Sequence, residues 1–374
     1  MRSASALYVA RIANEASVGI IAKVRNTSDA LTRLGLPCRA EVVDKRWWRG
    51  WPRVASSIAL SQESLIIVRS DHHTMLFMLL PMLIARLKGK TLVIDRPNPV
   101  SAALGELRAS ASGPVTLAAR RAWLYLSFPL CLYPAHRILA YSPDRRRFTF
   151  GARGKIRLVG NSVDTRSVPC RDAPPRFDGT VLRLIGVGHL AFWHGYDRLI
   201  RSIHRYMESK GDSALRIEFV VVGEGFELDS LIDLVRRLGL QDTVAFRGTL
   251  VGPQLEREFG RAHVAIGGLG QHRKDLLVNS EIKTKDYAAR GLPFVLAYED
   301  PDFPEGTPFV FQCPADESSI DLDAVAVWYA ELERDPEAFR TIREFAEQRL
   351  DYRARLSQHV LPLLDACPAD MPGS

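Results

Sequence analysis

Cysteine is scarce and scattered: Cys38, Cys131, Cys170, Cys313 and Cys367 are the five in 374 residues, with no C-x-x-C pair among them. That spacing argues against a disulfide framework and a structural zinc site, and predicts reduced, buried thiols. Long apolar runs are missing as well. The most apolar window, Met75–Ala85, falls short of the roughly 20 residues that a bilayer-spanning helix needs. The N-terminus lacks a charged segment followed by an apolar core, so no secretory signal is expected and the cytoplasm is the expected compartment. With 47% hydrophobic and 25% charged residues, the composition excludes disordered and fibrous classes and predicts a globular chain with room for two domains.

Acidic residues are few in the first part of the chain. Residues 1–160 hold 25 Lys and Arg against 9 Asp and Glu, a balance of +16, whereas the remainder hold 25 against 34, or −9. A basic domain points to an anionic lipid surface, phosphorylated substrates or nucleic acid. No recognition helix, zinc finger or aromatic RNA-binding motif accompanies those charges, so nucleic acid is not an expected partner.

What is present is a regular alternation of short β-rich runs with helical stretches. Leu7–Ile12, Cys38–Val43, Leu65–Val68, Thr91–Ile94, Arg137–Tyr141 and Lys155–Val159 read as strands of one parallel sheet. A polar, proline-containing stretch, 166–179, reads as a linker. Val181–Gly186, Ile217–Val222, Thr243–Phe246, Val264–Gly267 and Phe294–Ala297 begin a second series. The expected organisation is an α/β chain of two doubly wound domains, 1–165 and 180–351, with a last helix at about 352–374 packing back on the first.

In such sheets ligands bind at the carboxyl ends of strands, where helix N-termini offer N–H groups to phosphates. Three strand-to-helix loops of the second series therefore matter. The first runs Gly186-Val187-Gly188-His189-Leu190-Ala191-Phe192-Trp193-His194-Gly195-Tyr196-Asp197, the second is Gly223-Glu224-Gly225, and the third is Asn279-Ser280-Glu281-Ile282-Lys283-Thr284-Lys285-Asp286-Tyr287. Lys283 and Asp286, one helical turn apart, are expected on one face.

Together and in this order, GHLAFWHGYDRLI, VVGEG, VAFRGTL and SEIKTKDYAARGLPFV resemble the second domain of the GT-B, group 1 (retaining) glycosyltransferases. That family's pattern runs G-x-L…K-G-x-D-x-L-I, V-x-G-x-G, V-x-F-x-G and S-x-x-K-x-x-E-Y-x-A-x-G-x-P. Ala140-Tyr141-Ser142 and Gly160-Asn161-Ser162-Val163-Asp164 resemble its bridge between domains. The likeness covers residues 137–300. The form WHGYDRLI looks like that of enzymes that build capsular, exopolysaccharide or O-antigen repeat units. The chain departs from the pattern at Val278, where a first glutamate is common, and at His189 and His194, where a basic pair is usual.

The resemblance implies two Rossmann-like domains facing across a cleft, and transfer of a sugar from a nucleotide-sugar donor, with retention, to a lipid-linked saccharide acceptor. No cofactor beyond the donor itself is implied. A diphosphate leaving group needs positive charge and N–H donors. Lys283, His194, His189 and the N–H groups around Ser280, Glu281 and Ile282 are the candidates. By resemblance Asp286 is placed on the ribose hydroxyls, the Phe246-Arg247-Gly248-Thr249 and Gly223-Glu224-Gly225 loops flank the base, and Gly188 is among the donor-binding residues. Gly19, at the start of the first helix, either admits the diphosphate or forms an ordinary turn. On the acceptor side, Asp95 and His72, each following a predicted strand, are candidates for either a catalytic or an orienting role. No carboxylate or histidine cluster has metal-ligand spacing, so no metal is expected.

Lys45–Arg53 mixes Trp47, Trp48 and Trp51 with cations, and Trp123–Pro134 is apolar behind Arg120 and Arg121. Both fit either packed core or an anionic membrane interface; the latter implies peripheral attachment to the inner face of the plasma membrane. The alternatives to an enzyme of this kind are a non-catalytic GT-B subunit that holds lipid or a partner, and a nicotinamide-dependent dehydrogenase using Gly186-Val187-Gly188. The dehydrogenase reading has no acidic residue at the end of the next strand, where Gly223 stands.

Overall fold

The computed structural model describes the chain except for residues 1–3, 13–17, 45–46, 71–74, 97–98, 101–102, 105–106, 108–112, 144–151, 172–175 and 366–374. It divides into two units: residues 1–160 with 352–374, and residues 161–351.

In the first unit Leu65–Arg69 shows why parallel strands form: four successive apolar residues are buried, which a sheet covered on both faces requires. Its elements run β1 (Ala6–Ile12), α1 (Val18–Arg33), β2 (Cys38–Asp44), α2 (Trp47–Ala59), β3 (Leu65–Arg69), α3 (Met75–Leu87), β4 (Thr91–Arg96), α4 (Pro114–Leu132), β5 (Arg137–Ala140) and β6 (Ile156–Leu158). The sheet order is β2-β1-β3-β4-β5-β6, all parallel. The order reverses between β1 and β3, which makes their carboxyl ends the switch point. One face carries Leu7, Val9, Ile66, Val68, Leu92 and Ile94. The other carries Tyr8, Leu65, Ile67 and Val93, packed with Tyr352, Leu356 and Val360. The last two helices, α11 (Tyr352–His359) and α12 (Pro362–Asp365) by the numbering below, thus belong to this unit.

The second unit comprises β7 (Val181–Val187), α5 (Tyr196–Lys210), β8 (Arg216–Val222), α6 (Leu228–Arg237), β9 (Val244–Phe246), α7 (Pro253–Arg261), β10 (Val264–Ile266), α8 (Ile282–Ala289), β11 (Phe294–Leu296), β12 (Val310–Gln312), α9 (Leu322–Glu333) and α10 (Ala338–Phe345). Its parallel sheet is ordered β12-β11-β10-β7-β8-β9. This is the dinucleotide-fold order, with its switch point between β7 and β10. Along β8, Phe219 and Val221 face one core cluster and Val222 the other, so successive side chains alternate between two helix layers.

The boundary falls at Gly160, ahead of the stretch 166–179 expected as a linker. The described part of that stretch packs on the second unit because Arg171 anchors it. Its guanidinium donates to the Ala262 carbonyl at 2.8 Å and lies 5.0 Å over Phe339. Phe177 meets His263 edge-on at 5.5 Å. β12, absent from the expected strands, is a three-residue, partly exposed element beside β11. No helix among the described residues is long and apolar enough to cross a membrane.

Candidate functional site

The carboxyl ends of β7, β8 and β10 meet where the second sheet reverses, and glycine lets them meet closely. Gly188, at φ 150°, donates its N–H to the Val222 carbonyl at 3.1 Å. A Cβ on Gly223 (φ 128°) would stand 1.9 Å from the Gly188 carbonyl oxygen, so any larger residue would push the two loops apart. The first loop then makes a 3-10 turn, Phe192–His194, that ends on left-handed Gly195. The Leu269 N–H donates to the His194 carbonyl at 2.9 Å, tying this turn to the loop after β10.

That third loop carries its own 3-10 turn, Gln271–Lys274. Arg273 fixes it in place: the guanidinium grips Asp197 at 2.8 and 3.1 Å, Glu317 at 2.7 and 2.8 Å, and the Phe192 carbonyl at 2.8 Å. Bidentate forks of this kind set orientation as well as charge. Further on, Ser280 Oγ accepts the Asn161 N–H at 2.8 Å and donates to Asp302 at 3.0 Å. Lys285, fully buried, pairs with Asp300 at 2.5 Å and Asp302 at 3.0 Å. Burial pushes the Asp300 carboxyl up to about 6, against the pull of Lys285. This polar network holds the start of α8 in place; Ser280 is committed to it.

Helix α8 opens on Glu281 with no side-chain cap, which leaves its first N–H groups for an anion. Glu281 accepts from Gln271 Nε2. Lys283 Nζ lies 3.7 Å from Glu281 Oε2, longer than a hydrogen bond, and 5.3 Å from the centre of the Tyr196 ring. Burial lowers the Lys283 pKa, and Glu281 opposes that shift. His194 is pushed well below its ordinary value by burial, then by Lys283, Lys274 and His189. Its imidazole is therefore neutral at pH 7, and its buried Nδ1 has no hydrogen-bond partner. The expectation that His194 supplies positive charge gives way to that of a neutral donor or acceptor, because cations crowd it in a dry site.

The remaining expected residues spread over several surroundings. His189 stands edge-on to Phe226 at 5.5 Å. Ile282 is 42% exposed. Asp286 Oδ2 takes the Arg290 guanidinium at 2.6 Å, and Arg290 also binds Glu256 at 2.7 Å. Lys283 and Asp286 thus turn to different neighbours, although one turn apart. Burial raises the Asp286 pKa, and Arg290 opposes it. Arg247, half-exposed, reaches toward Glu258 at 3.9 Å.

In the first unit, Gly19 sits in the first turn of α1, and a Cβ there would meet nothing within 4 Å. Asp95 is the hub of a buried cluster at that sheet's switch point. It accepts from Tyr8, from Tyr141 at 2.6 Å, from Arg69 at 3.1 Å and from Lys23 at 3.3 Å. Burial opposes its ionisation, but Lys23, Arg69 and the two phenols outweigh that and hold its pKa at about 2. Both oxygens are engaged, so Asp95 is arranged to organise its neighbours and not to take a proton. His72 lies outside the described residues. Among the described residues no three His, Cys, Asp or Glu side chains converge in a way that could hold a metal ion. Sequence reasoning missed Lys274, Lys285, Asp300 and Arg273; the basic run His272-Arg273-Lys274 was the available signal for two of them.

No protein-family model and no curated protein sequence matches the chain. Solved structures do match it. The apo form of WaaB, a lipopolysaccharide outer core galactosyltransferase, aligns with a TM-score of 0.63 at 12% identity over 96% of this chain and 99% of that one. An alpha,alpha-trehalose-phosphate synthase (UDP-forming) from Burkholderia vietnamiensis aligns at 0.63, with 13% identity and 100% of both chains. AviGT4, a glycosyltransferase involved in avilamycin A biosynthesis, aligns at 0.57, with 13% identity over 96% and 97%. At these identities the likeness is one of fold. The chain has the GT-B fold, two Rossmann-like units each built on a six-stranded parallel sheet.

Proposed function

We propose that the chain is a glycosyltransferase that takes a sugar from a nucleotide sugar bound at the second unit. One observation carries this reading: buried Lys283 stands beside Glu281 at the uncapped start of α8, at the switch point of a GT-B unit. Negative charge develops on the diphosphate as the glycosidic bond breaks, and a preformed ammonium with helix N–H groups stabilises that charge without reorganising. Neutral His194 would hydrogen-bond the sugar or the acceptor. Asp286, steadied by Arg290, would accept from the ribose hydroxyls. Because protein cations can carry the diphosphate charge, the proposal includes turnover without a divalent metal, to be tested in EDTA.

Retention at the anomeric carbon is proposed through front-side attack assisted by the leaving phosphate. That route suits a first unit whose Asp95 is fully engaged. The acceptor is proposed to be a lipid-linked saccharide, approached from the cytoplasmic face of the plasma membrane. Support for this part comes from the balance of +16 over residues 1–160 and from Leu80, Leu83 and Leu87 on α3 and Leu126 and Leu130 on α4, all exposed. Trp51, by contrast, stacks on Phe77 at 5.2 Å within the first core, and the Trp47 and Trp48 side chains lie outside the described residues. Screening UDP-, GDP- and dTDP-sugars for binding and for release of the nucleotide tests the reading. Binding without turnover on any saccharide acceptor would favour a non-catalytic subunit.

A further inference from the structure

A diphosphate brings about two negative charges, and on the first loop histidines stand at the two positions where a basic pair is usual, with His194 neutral. A second ammonium group nevertheless reaches the same place from the loop after β10. Lys274, 5% exposed, ends the turn Gln271–Lys274, and its Nζ lies 4.1 Å from the centre of the Trp193 ring. Trp193 stands edge-on to His194 at 6.2 Å, and His194 is tilted against Tyr196 at 5.6 Å. Lys283 lies over the far end of this row, on Tyr196. Trp193, His194 and Tyr196 are therefore flanked by one lysine at each end. The turn that carries Lys274 is doubly fixed, by the Arg273 forks on Asp197 and Glu317 and by the hydrogen bond from Gln271 to Glu281 at the start of α8. A buried lysine this firmly placed has already lost most of its solvation and conformational freedom, so it meets an anion at little further cost.

We infer that Lys274 is a second cation of the diphosphate subsite, acting with Lys283 in place of a basic pair on the first loop. This rests on the donor-binding reading above. The competing role for Lys274 is a purely structural cation–π clamp on Trp193.

The two roles separate in a titration. UDP, GDP, dTDP and ADP, each with its parent nucleoside, are titrated calorimetrically into the full chain and into Lys274→Met and Lys274→Arg, with circular dichroism as the check on folding. The expected result is that Lys274→Met weakens the bound nucleoside diphosphate roughly ten- to a hundredfold, the range for a charged hydrogen-bond partner. The parent nucleoside should be unaffected, and Lys274→Arg should bind within a few-fold of the wild type. Unchanged diphosphate affinity in folded Lys274→Met, or an equal loss for nucleoside and diphosphate, would overturn the inference. Should Lys274→Met unfold, Lys274→Gln, which keeps a chain of similar length over Trp193, takes its place; unfolding of both would assign Lys274 to structure and also overturn it. A wild-type chain that binds none of the four diphosphates would instead overturn the donor reading itself.

Discussion

Replacing Lys283 with methionine should separate diphosphate binding from fold stability. The Lys283 side chain is 13% exposed and Glu281 10%, with 3.7 Å between charged atoms. Removing the ammonium relieves its own desolvation, the cause of its lowered pKa. Glu281 meanwhile keeps the hydrogen bond from Gln271. Both offset the lost attraction between Lys283 and Glu281, so unfolding free energy should change by no more than about 1 kcal/mol, well below the cost of stranding a buried charge. Binding is different, because methionine cannot supply the charged donor that Lys283 brings to the phosphates. Losing one costs on the order of 1.5–3 kcal/mol, or roughly ten- to a hundredfold in affinity. Calorimetric titration with the best-bound nucleoside diphosphate measures the affinity, and thermal unfolding the stability. The pH profile adds a signature. As pH rises through the lowered Lys283 pKa the ammonium deprotonates, so wild-type affinity falls in alkali below the ordinary lysine range, and Lys283→Met should lose that part of the dependence. A folded Lys283→Met chain that binds the diphosphate as tightly as the wild type would refute the assigned site.

Lys285→Met should behave in the opposite way: it strands the Asp300 and Asp302 carboxylates in the interior, so destabilisation of about 3–5 kcal/mol is expected, read as a lowered Tm. Asp95→Asn leaves Lys23 and Arg69 without their buried counter-charge and should destabilise the first unit by a similar amount in calorimetry. Its folded-state pKa is about 2 against the ordinary 3.8, so its contribution, on the order of 2 kcal/mol, is present above pH 4 and lost as pH falls toward 2. The full chain should co-sediment with anionic vesicles at low salt and less at high salt, and Leu80→Glu with Leu87→Glu should weaken the salt-resistant part; no sedimentation at low salt would remove the membrane proposal.

Most strands of both sheets were legible as short β-rich runs ended by turn residues, and Leu65–Arg69 is the clearest of them. β12 was not, since Val310–Gln312 is short, partly exposed and without alternation. The donor-side loops were legible as an ordered set of motifs, but the charge state of His194 was not, because it follows from burial and from cations that the fold brings together. The Lys285 pairing spans 15 residues to Asp300 and carries no periodic signal. Asp286 and Arg290, by contrast, stand at the i,i+4 spacing of a helical ion pair and could have been read as partners from the chain alone.

The central claim is that the second unit binds a nucleotide-sugar donor at Lys283 and the start of α8. Thermal unfolding of the full chain with UDP-, GDP- and dTDP-sugars tests it most directly. At a hundredfold excess over its Kd, the true donor should stabilise the native state by about 2.7 kcal/mol, raising the Tm of a unit of this size by roughly 5–10 °C. Lys283→Met should lose most of that shift at the same donor concentration. A wild-type Tm that no nucleotide sugar or nucleoside diphosphate moves would contradict the account.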